Sequence, residues 1–364
     1  MGKPYEERIE RVRRALAEQK ADFLLVPASA DFRWITGAGV RSTERLLCLV
    51  VPRTGPLFCI VPRLESDALA AECPWLERVV WDDDQDAFSL LAGRLALERR
   101  PVLLLSEGFR TAPLLALAAR TPCLPAAAAL EPLRAVKDDE ELRLLAAAAG
   151  HADQLVMETA SFMRAGMTER EVQRFVFDHF EALGDTDAWA IVASGPNGAL
   201  PHHMTSDRRL EEGDVVVLDL GAFTGGYASD ITRTFWLGSP AAEAERVYAV
   251  VDEARRAGIA AVRVGAPAGA VDAAARAVIE REGYGACFTH RTGHGVGLEI
   301  HEPPYLVKGN DRPLVAGMTH SVEPGIYLPG RFGVRLEDIV VVEAGGARRL
   351  NQAPFTPAPQ RVRG

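Results

Sequence analysis

The sequence predicts an α+β protein of two domains: a smaller α/β domain over residues 1–130, and a larger domain over residues 139–364. Three observations carry this. In the first part short apolar runs alternate with Ala/Leu-rich stretches, the pattern of strands interleaved with helices. At "PAAAALEPLRAVKDDEELRLL" the texture changes, where Pro132 and an acidic run precede a long Ala-rich segment, so the boundary is expected within 131–138. From about Ala190 onward, strand-like runs and glycine turns dominate, apart from helical stretches near 241–262 and 269–282.

In the first domain "ERIERVRRALAEQK" reads as an amphipathic helix, and "ADFLLVP", "RLLCLVVP", "PLFCIVP" and "PVLLLSEG" as short apolar strands. "APLLALAAR" is a further helix. The Ala-rich segment runs as a helix to about Met163. The next helix, "TEREVQRFVFDHFEAL", opens with Thr168 and Glu171 in the S/T-x-x-E spacing of a capping box. The closing "APFTPAPQRVRG" reads as a loose tail.

Hydrophobic residues make up 48% of the 364 and charged residues 25%, ordinary for a globular chain. The net charge of −9 argues against a general affinity for nucleic-acid phosphates. No apolar run is long enough to span a bilayer, and the opening stretch lacks the apolar core of a secretory signal. Cys48, Cys59, Cys73, Cys123 and Cys287 are scattered, with no CxxC pair, which suits reduced thiols in a cytoplasmic protein. Neither nucleic acid nor membrane is expected as a partner.

Within "DLGAFTGGYASD", Asp219 and Asp230 end two strand-like runs. A two-residue turn on Thr224-Gly225 places them directly opposite, with Val217 facing Thr232, while Leu218, Leu220 and Ile231 face the core. Two facing aspartates need a shared proton or a cation. Alternatively a longer turn slips the register by one and turns one of them to solvent.

A second strand-turn-strand unit carries Glu323 and Glu337, an even number of residues apart, so a loop of odd length sets both on one face. Glu337, in a run read as a buried strand, needs a partner, either Arg335 or a cation. His294 stands between Gly293 and Gly295, which permit close backbone approach to a ligand or metal. His301 precedes two prolines expected to stop any regular element, and His202 and His203 lie in a turn-rich loop. Four carboxylates and one imidazole suit Mn, Co or Zn and exceed what a single divalent ion requires.

The segments "VVVLDLGAFTGGYASDITRTF", "TGHGVGLEIHEPP", "SVEPGIY" and "GVRLEDIVVV" resemble the pita-bread metallopeptidases, the family of methionine aminopeptidase, prolidase and aminopeptidase P. The match runs from about residue 140 to the C-terminus. "ASADFRWITGAG" is similar to the creatinase-type N-terminal domain of the Xaa-Pro-cleaving branch. The resemblance implies a dinuclear centre, with Asp219 chelating one ion, Asp230 and Glu337 bridging, and His294 and Glu323 completing the shells. It implies hydrolysis by a metal-activated water, with Glu323 as general base and His202 and His301 holding the substrate and the developing oxyanion. Arg335 resembles an arginine tied to catalysis or to the substrate carboxylate, beside its plain role of neutralising Glu337. Thr232 is a candidate for orienting a bridging carboxylate. His203 departs from the small or aromatic residue expected after "LPH" and is expected to face solvent.

The function expected from the resemblance is an Xaa-Pro dipeptidase using two divalent ions, Mn first and Co or Zn next, on proline-containing dipeptides, as a homodimer. Aminopeptidase P, acting on longer peptides, is the alternative. A metal-free creatinase-like hydrolase or a non-catalytic binding module is the distant one, and would be expected to lose several of the five ligands.

Overall fold

The computed structural model describes residues 3–41 and 43–355 and divides into two compact units between Arg134 and Ala135. The expected linker over 131–138 is helical as far as Ala135, with Pro132 inside that helix. The tail from residue 356 lies outside the described residues.

Among the described residues the first unit has six strands: β1 (Phe23–Pro27), β2 (Cys48–Pro52), β3 (Phe58–Pro62), β4 (Glu77–Trp81), β5 (Leu103–Leu105) and β6 (Cys123–Pro125). Its helices are α1 (Lys3–Glu18), α2 (Ala30–Thr36), α3 (Arg63–Glu72), α4 (Ala87–Arg94), α5 (Thr111–Ala118) and α6 (Ala127–Ala135). They form one sheet of order β4-β3-β2-β1-β5-β6 in which β2 alone runs against its neighbours. Every residue of β2 and β3 is buried, which is why these strands read as unbroken apolar runs rather than as alternation. The sequence reading missed β4 and β6, because "ERVVW" is partly exposed and charged and "CLP" is too short to show a pattern.

The second unit opens with α7 (Asp139–Phe162) and α8 (Glu169–Ala182), each started by a capping box: Asp138 with Glu141, and Thr168 with Glu171. A first sheet follows: β7 (Thr186–Ser194), β8 (Val215–Thr224), β9 (Tyr227–Ala228) and β10 (Ile231–Trp236), in the order β10-β8-β7 with β9 on β8. Then come α9 (Ala242–Ala261) and α10 (Ala268–Arg281). A five-stranded sheet is built from β11 (Gly293–Gly295), β12 (Glu302–Leu306), β13 (Thr319–Val322), β16 (Asp338–Glu343) and β17 (Gly346–Arg349), and a ribbon from β14 (Gly325–Leu328) and β15 (Phe332–Arg335).

Alternation along β8 positions the site. Val216, Leu218, Leu220 and Ala222 pack with Val172, Val176 and Phe180 of α8 and with Leu155 and Val156 of α7. Fully burying each such large apolar side chain contributes about 1.5–3 kcal/mol. The odd-numbered residues, Asp219 among them, therefore point to the other face of the sheet. On that face Ile191 of β7 and Thr232 of β10 flank Asp219 directly. The helix pair α9/α10 packs against β14 and β15 through Val251, Ala275, Ile279, Ile326 and Val334, so the site lies between helix-backed layers.

The hairpin register differs from expectation. The turn falls on Gly225-Gly226, with φ of 58° and 89°, so Thr224 pairs with Tyr227 and Asp219 with Thr232. Two successive positive φ values require a type I′ turn, which suits two glycines better than Thr-Gly. Val217 accordingly faces Thr234, and Asp230 sits diagonally from Asp219 rather than opposite. The displacement is by an even number, so both acids keep the same face and both stay buried, at 8% and 3% exposure.

Two further corrections concern the prolines after His301 and the position of Glu337. Pro303 and Pro304 do not stop regular structure; they belong to β12, an edge strand, where a missing N–H leaves no ladder bond broken. Glu337 is not inside a strand but in the break between β15 and β16.

His320 of β13 is fully buried, with Nδ1 against the Ser321 carbonyl at 3.0 Å and Nε2 without a hydrogen-bond partner among the described residues. Burial, together with the charges of His294 and Lys137, outweighs the Ser321 hydrogen bond and brings its pKa to about 4. Below the ordinary histidine pKa the unfolded chain takes up a proton that the folded one refuses, so stability falls as pH drops from about 6.5 to 4. His320→Leu is expected to recover up to about 3 kcal/mol of this acid loss, read as the difference in denaturant unfolding at the two ends of the window.

Candidate metal centre

Asp230, His294 and Glu337 each offer a ligand atom within 4.8 Å of the others, and all three are buried. Asp230 follows β9 in the hairpin, His294 comes from β11, and Glu337 from the break after β15. Glu337 is held at three points by β10. Its N–H donates to the Thr232 carbonyl at 3.0 Å, Oε2 accepts from Thr232 Oγ1 at 2.6 Å, and its carbonyl accepts from Arg233 Nη1 at 2.5 Å. Arg233, itself buried, also pairs with Asp338 at 2.8 Å and donates to the Ala353 carbonyl.

His294 is oriented in the manner of a ligand. Its Nδ1 faces the Gly295 carbonyl at 3.1 Å and its backbone N–H donates to Ser321 Oγ at 3.1 Å. An Nδ1–H there leaves Nε2 as the lone-pair nitrogen, which points at Glu323 Oε1 at 3.2 Å and Asp230 Oδ2 at 3.6 Å. The flanking glycines serve the sheet rather than a ligand: a Cβ on Gly293 would stand 2.2 Å from the Ser321 carbonyl oxygen.

Asp219 lines the same cavity, of about 450 Å³, together with Trp189, Ile191, His202, His301 and Glu323. Arg335 pairs with Asp219, not with Glu337, and also donates to Thr232 Oγ1 at 3.1 Å, Tyr327 Oη at 2.9 Å and the Pro201 carbonyl at 3.2 Å. His202 and His301 stand at the exposed part of the cavity, the His301 ring 4.2 Å from that of His294. His203 does not face solvent; its Nε2 lies 2.9 Å from Glu169 Oε2. The sequence reading missed His290, whose Nε2 is 2.8 Å from Tyr327 Oη, and the apolar wall of Trp189, Ile191 and Ile300. His290 stands four residues before His294 in "HRTGH", a spacing that marks no helix or strand face here.

The carboxylates fit cations. Asp219 Oδ1, Asp230 Oδ1 and Glu337 Oε1 are buried without a hydrogen-bond partner among the described residues, a costly state for an ionised oxygen. Burial, then repulsion from Glu337, Asp219 and Glu323, pushes the Asp230 pKa well up; burial, then Glu323 and Asp219, does the same to Glu337. Asp219 is raised by burial against the opposing charge of Arg335. Glu323 goes the other way: burial opposes its ionisation, but a hydrogen bond from His294, made only when Nε2 carries a proton rather than a lone pair, and the charges of His294, His290 and Arg335 bring it to about 2. Burial first, then the charges of His294 and Arg291, lowers His301 to about 4, so it is neutral near pH 7.

Asp230→Asn removes a ligand and a buried charge together. It is expected to weaken metal binding by more than about 100-fold, beyond the usual cost of losing an outer-shell partner. Its metal-free melting temperature should be unchanged or higher. A variant that keeps metal at full stoichiometry would remove Asp230 from the site.

Comparison with known proteins places the chain in a family. Residues 143–344 match metallopeptidase family M24, and residues 8–136 match the creatinase/prolidase N-terminal domain. The chain is 39% identical over 358 residues to a probable dipeptidase PepE of Mycobacterium tuberculosis, covering 96% of this chain and 95% of that one. It superposes on recombinant prolidase from Thermococcus sibiricus with a TM-score of 0.92 at 35% identity, covering 98% and 100% of the two chains. Against an X-Pro aminopeptidase from Thermotoga maritima the TM-score is 0.83 at 28% identity, over 94% and 99%. The chain belongs to metallopeptidase family M24, with a creatinase-type N-terminal domain ahead of a pita-bread catalytic domain.

Proposed function

We propose that this protein is an Xaa-Pro dipeptidase that uses two divalent cations, Mn first and Co or Zn next, held by Asp219, Asp230, His294, Glu323 and Glu337. The observation that carries the reading is the set of three buried, unpartnered carboxylate oxygens beside the lone-pair nitrogen of His294. With Arg335 as their counter-charge, the four ionised carboxylates retain a net −3. One divalent cation leaves the cluster at −1 and two bring it to +1, so charge balance admits either number, and the count of two rests on four carboxylates exceeding what a single divalent ion requires. The bound cations supply an acidified water and polarisation of the scissile carbonyl.

The remaining work falls to the chain's own groups. Glu323 lines the cavity beside His294, and it accepts the proton of water and returns it to the leaving proline nitrogen. His301, neutral, and His202 border the cavity where the substrate carbonyl and terminal carboxylate lie, and donate hydrogen bonds to them. Arg335 spends its donors on Asp219, Thr232, Tyr327 and Pro201, so it orients Asp219 and the cavity wall. A proline nitrogen after a peptide bond carries no hydrogen, so recognition of the ring rests on apolar contact; Trp189, Ile191 and Ile300 give that contact. A cytoplasmic homodimer completes the reading, in keeping with five free cysteines.

The similarity to an X-Pro aminopeptidase supports a second reading, aminopeptidase P, which shares the metal chemistry and differs in substrate length. Hydrolysis of an X-Pro dipeptide and of an X-Pro-Y tripeptide by the Mn-loaded enzyme separates them. The dipeptide is expected to be cleaved with the higher kcat/KM; cleavage of the tripeptide alone would establish the second reading instead.

A further inference from the structure

Outside the metal centre, the carboxylate of Glu169 at the first turn of α8 is fully buried and accepts six hydrogen bonds. Oε1 takes Ser194 N at 2.8 Å, Ser194 Oγ at 2.7 Å and Asn197 Nδ2 at 3.0 Å. Oε2 takes Ser206 N at 3.0 Å, Ser206 Oγ at 2.7 Å and His203 Nε2 at 2.9 Å. These donors come from both ends of one loop, residues 194–206, so a single carboxylate closes it. Although burial alone would raise the Glu169 pKa, the donors Asn197, Ser206 and Ser194 bring it below the usual carboxylate value.

The loop is what carries His202 to the cavity. On its other side the Pro201 carbonyl accepts from Arg335 Nη1, and the backbone of Gly198 lies so close to β15 that a Cβ on Gly333 would stand 1.9 Å from the Gly198 oxygen. Its outer face offers no apolar anchor, since Leu200 is 57% and Met204 85% exposed. A segment held by polar contacts on one side and by glycine backbone on the other has its position set by those contacts. His203, the residue that departs from the small or aromatic type expected after "LPH", supplies one of the six donors.

We propose that Glu169 and His203 are positioning residues: their pairing sets where His202 stands at the mouth of the metal cavity. The inference rests on the Xaa-Pro peptidase reading for its effect on rate, but not for its effect on the loop.

The test uses the full-length, Mn-loaded protein and the variants His203→Leu, His203→Gln and Glu169→Gln, each also combined with His202→Ala. His203→Leu and Glu169→Gln are expected to lower kcat on an X-Pro dipeptide by about 10–100-fold with metal content unchanged, and His203→Gln, which keeps a donor, to restore most of it. In the His202→Ala background the same changes should cost less than about 2-fold, because their effect passes through His202. Amide hydrogen exchange over residues 195–206 should speed up in His203→Leu and Glu169→Gln, with the β8 core unchanged. Equal losses with and without His202, or unaltered exchange in the loop, would overturn the proposal. If the wild-type protein cleaves no X-Pro peptide, the functional reading falls and loop exchange alone decides the clamp. His203→Leu and His203→Gln both keep Glu169, so loss of folding in Glu169→Gln leaves the test intact.

Discussion

Repulsion among buried carboxylates is the constraint on which the catalytic unit depends. Asp219, Asp230 and Glu337 are withdrawn from water with one oxygen each left unbonded, and Glu323 adds a fourth charge to the same cavity. Such a cluster is unfavourable to the folded state unless protons or cations enter it. Folding supplies the energy elsewhere: the layers of α7/α8 and α9/α10 bury large apolar surfaces against the sheets, and the sheets hold the acids together. The cluster's tendency to hold protons and its tendency to hold metal are thus one property read under two conditions.

The surrounding groups keep that cluster oriented without neutralising it fully. Thr232 and Arg233, adjacent on β10, project to opposite faces; one holds the Glu337 carboxylate, and the other holds its carbonyl while anchoring Asp338. Arg335 covers Asp219 and ties it to Tyr327 and to the His202 loop. Glu169 closes that loop from behind. Each of these contacts fixes an angle or a position, and none satisfies the oxygens that face the cavity.

Much of this was legible in the sequence where local pattern decides. The apolar strands of the first unit and the Thr168 capping box follow from residue order alone, and the shared face of Asp219 and Asp230 was one of two arrangements that order allowed. The exact pairing did not follow, because "TGG" allows two turns and only the geometry of successive positive φ values selects Gly225-Gly226. The shared face survived because the slip was even. Partners distant in the chain were illegible: Arg335 stands next but one to Glu337 yet pairs with Asp219, more than a hundred residues away, and His203 finds Glu169 in a helix's first turn. The resemblance implied five candidate ligands, of which Asp230, His294 and Glu337 offer ligand atoms within 4.8 Å of one another, but the wall of Trp189, Ile191 and Ile300 and the place of His290 required the fold.

Counting protons as metal binds shows whether cations replace protons on these carboxylates. Calorimetric titration of the metal-stripped protein with Mn²⁺ near pH 6, in two buffers of different ionisation enthalpy, gives that count. Release of about one proton or more per chain is expected, increasing toward pH 5. Tight binding with no proton release anywhere between about pH 5 and 7 would contradict it.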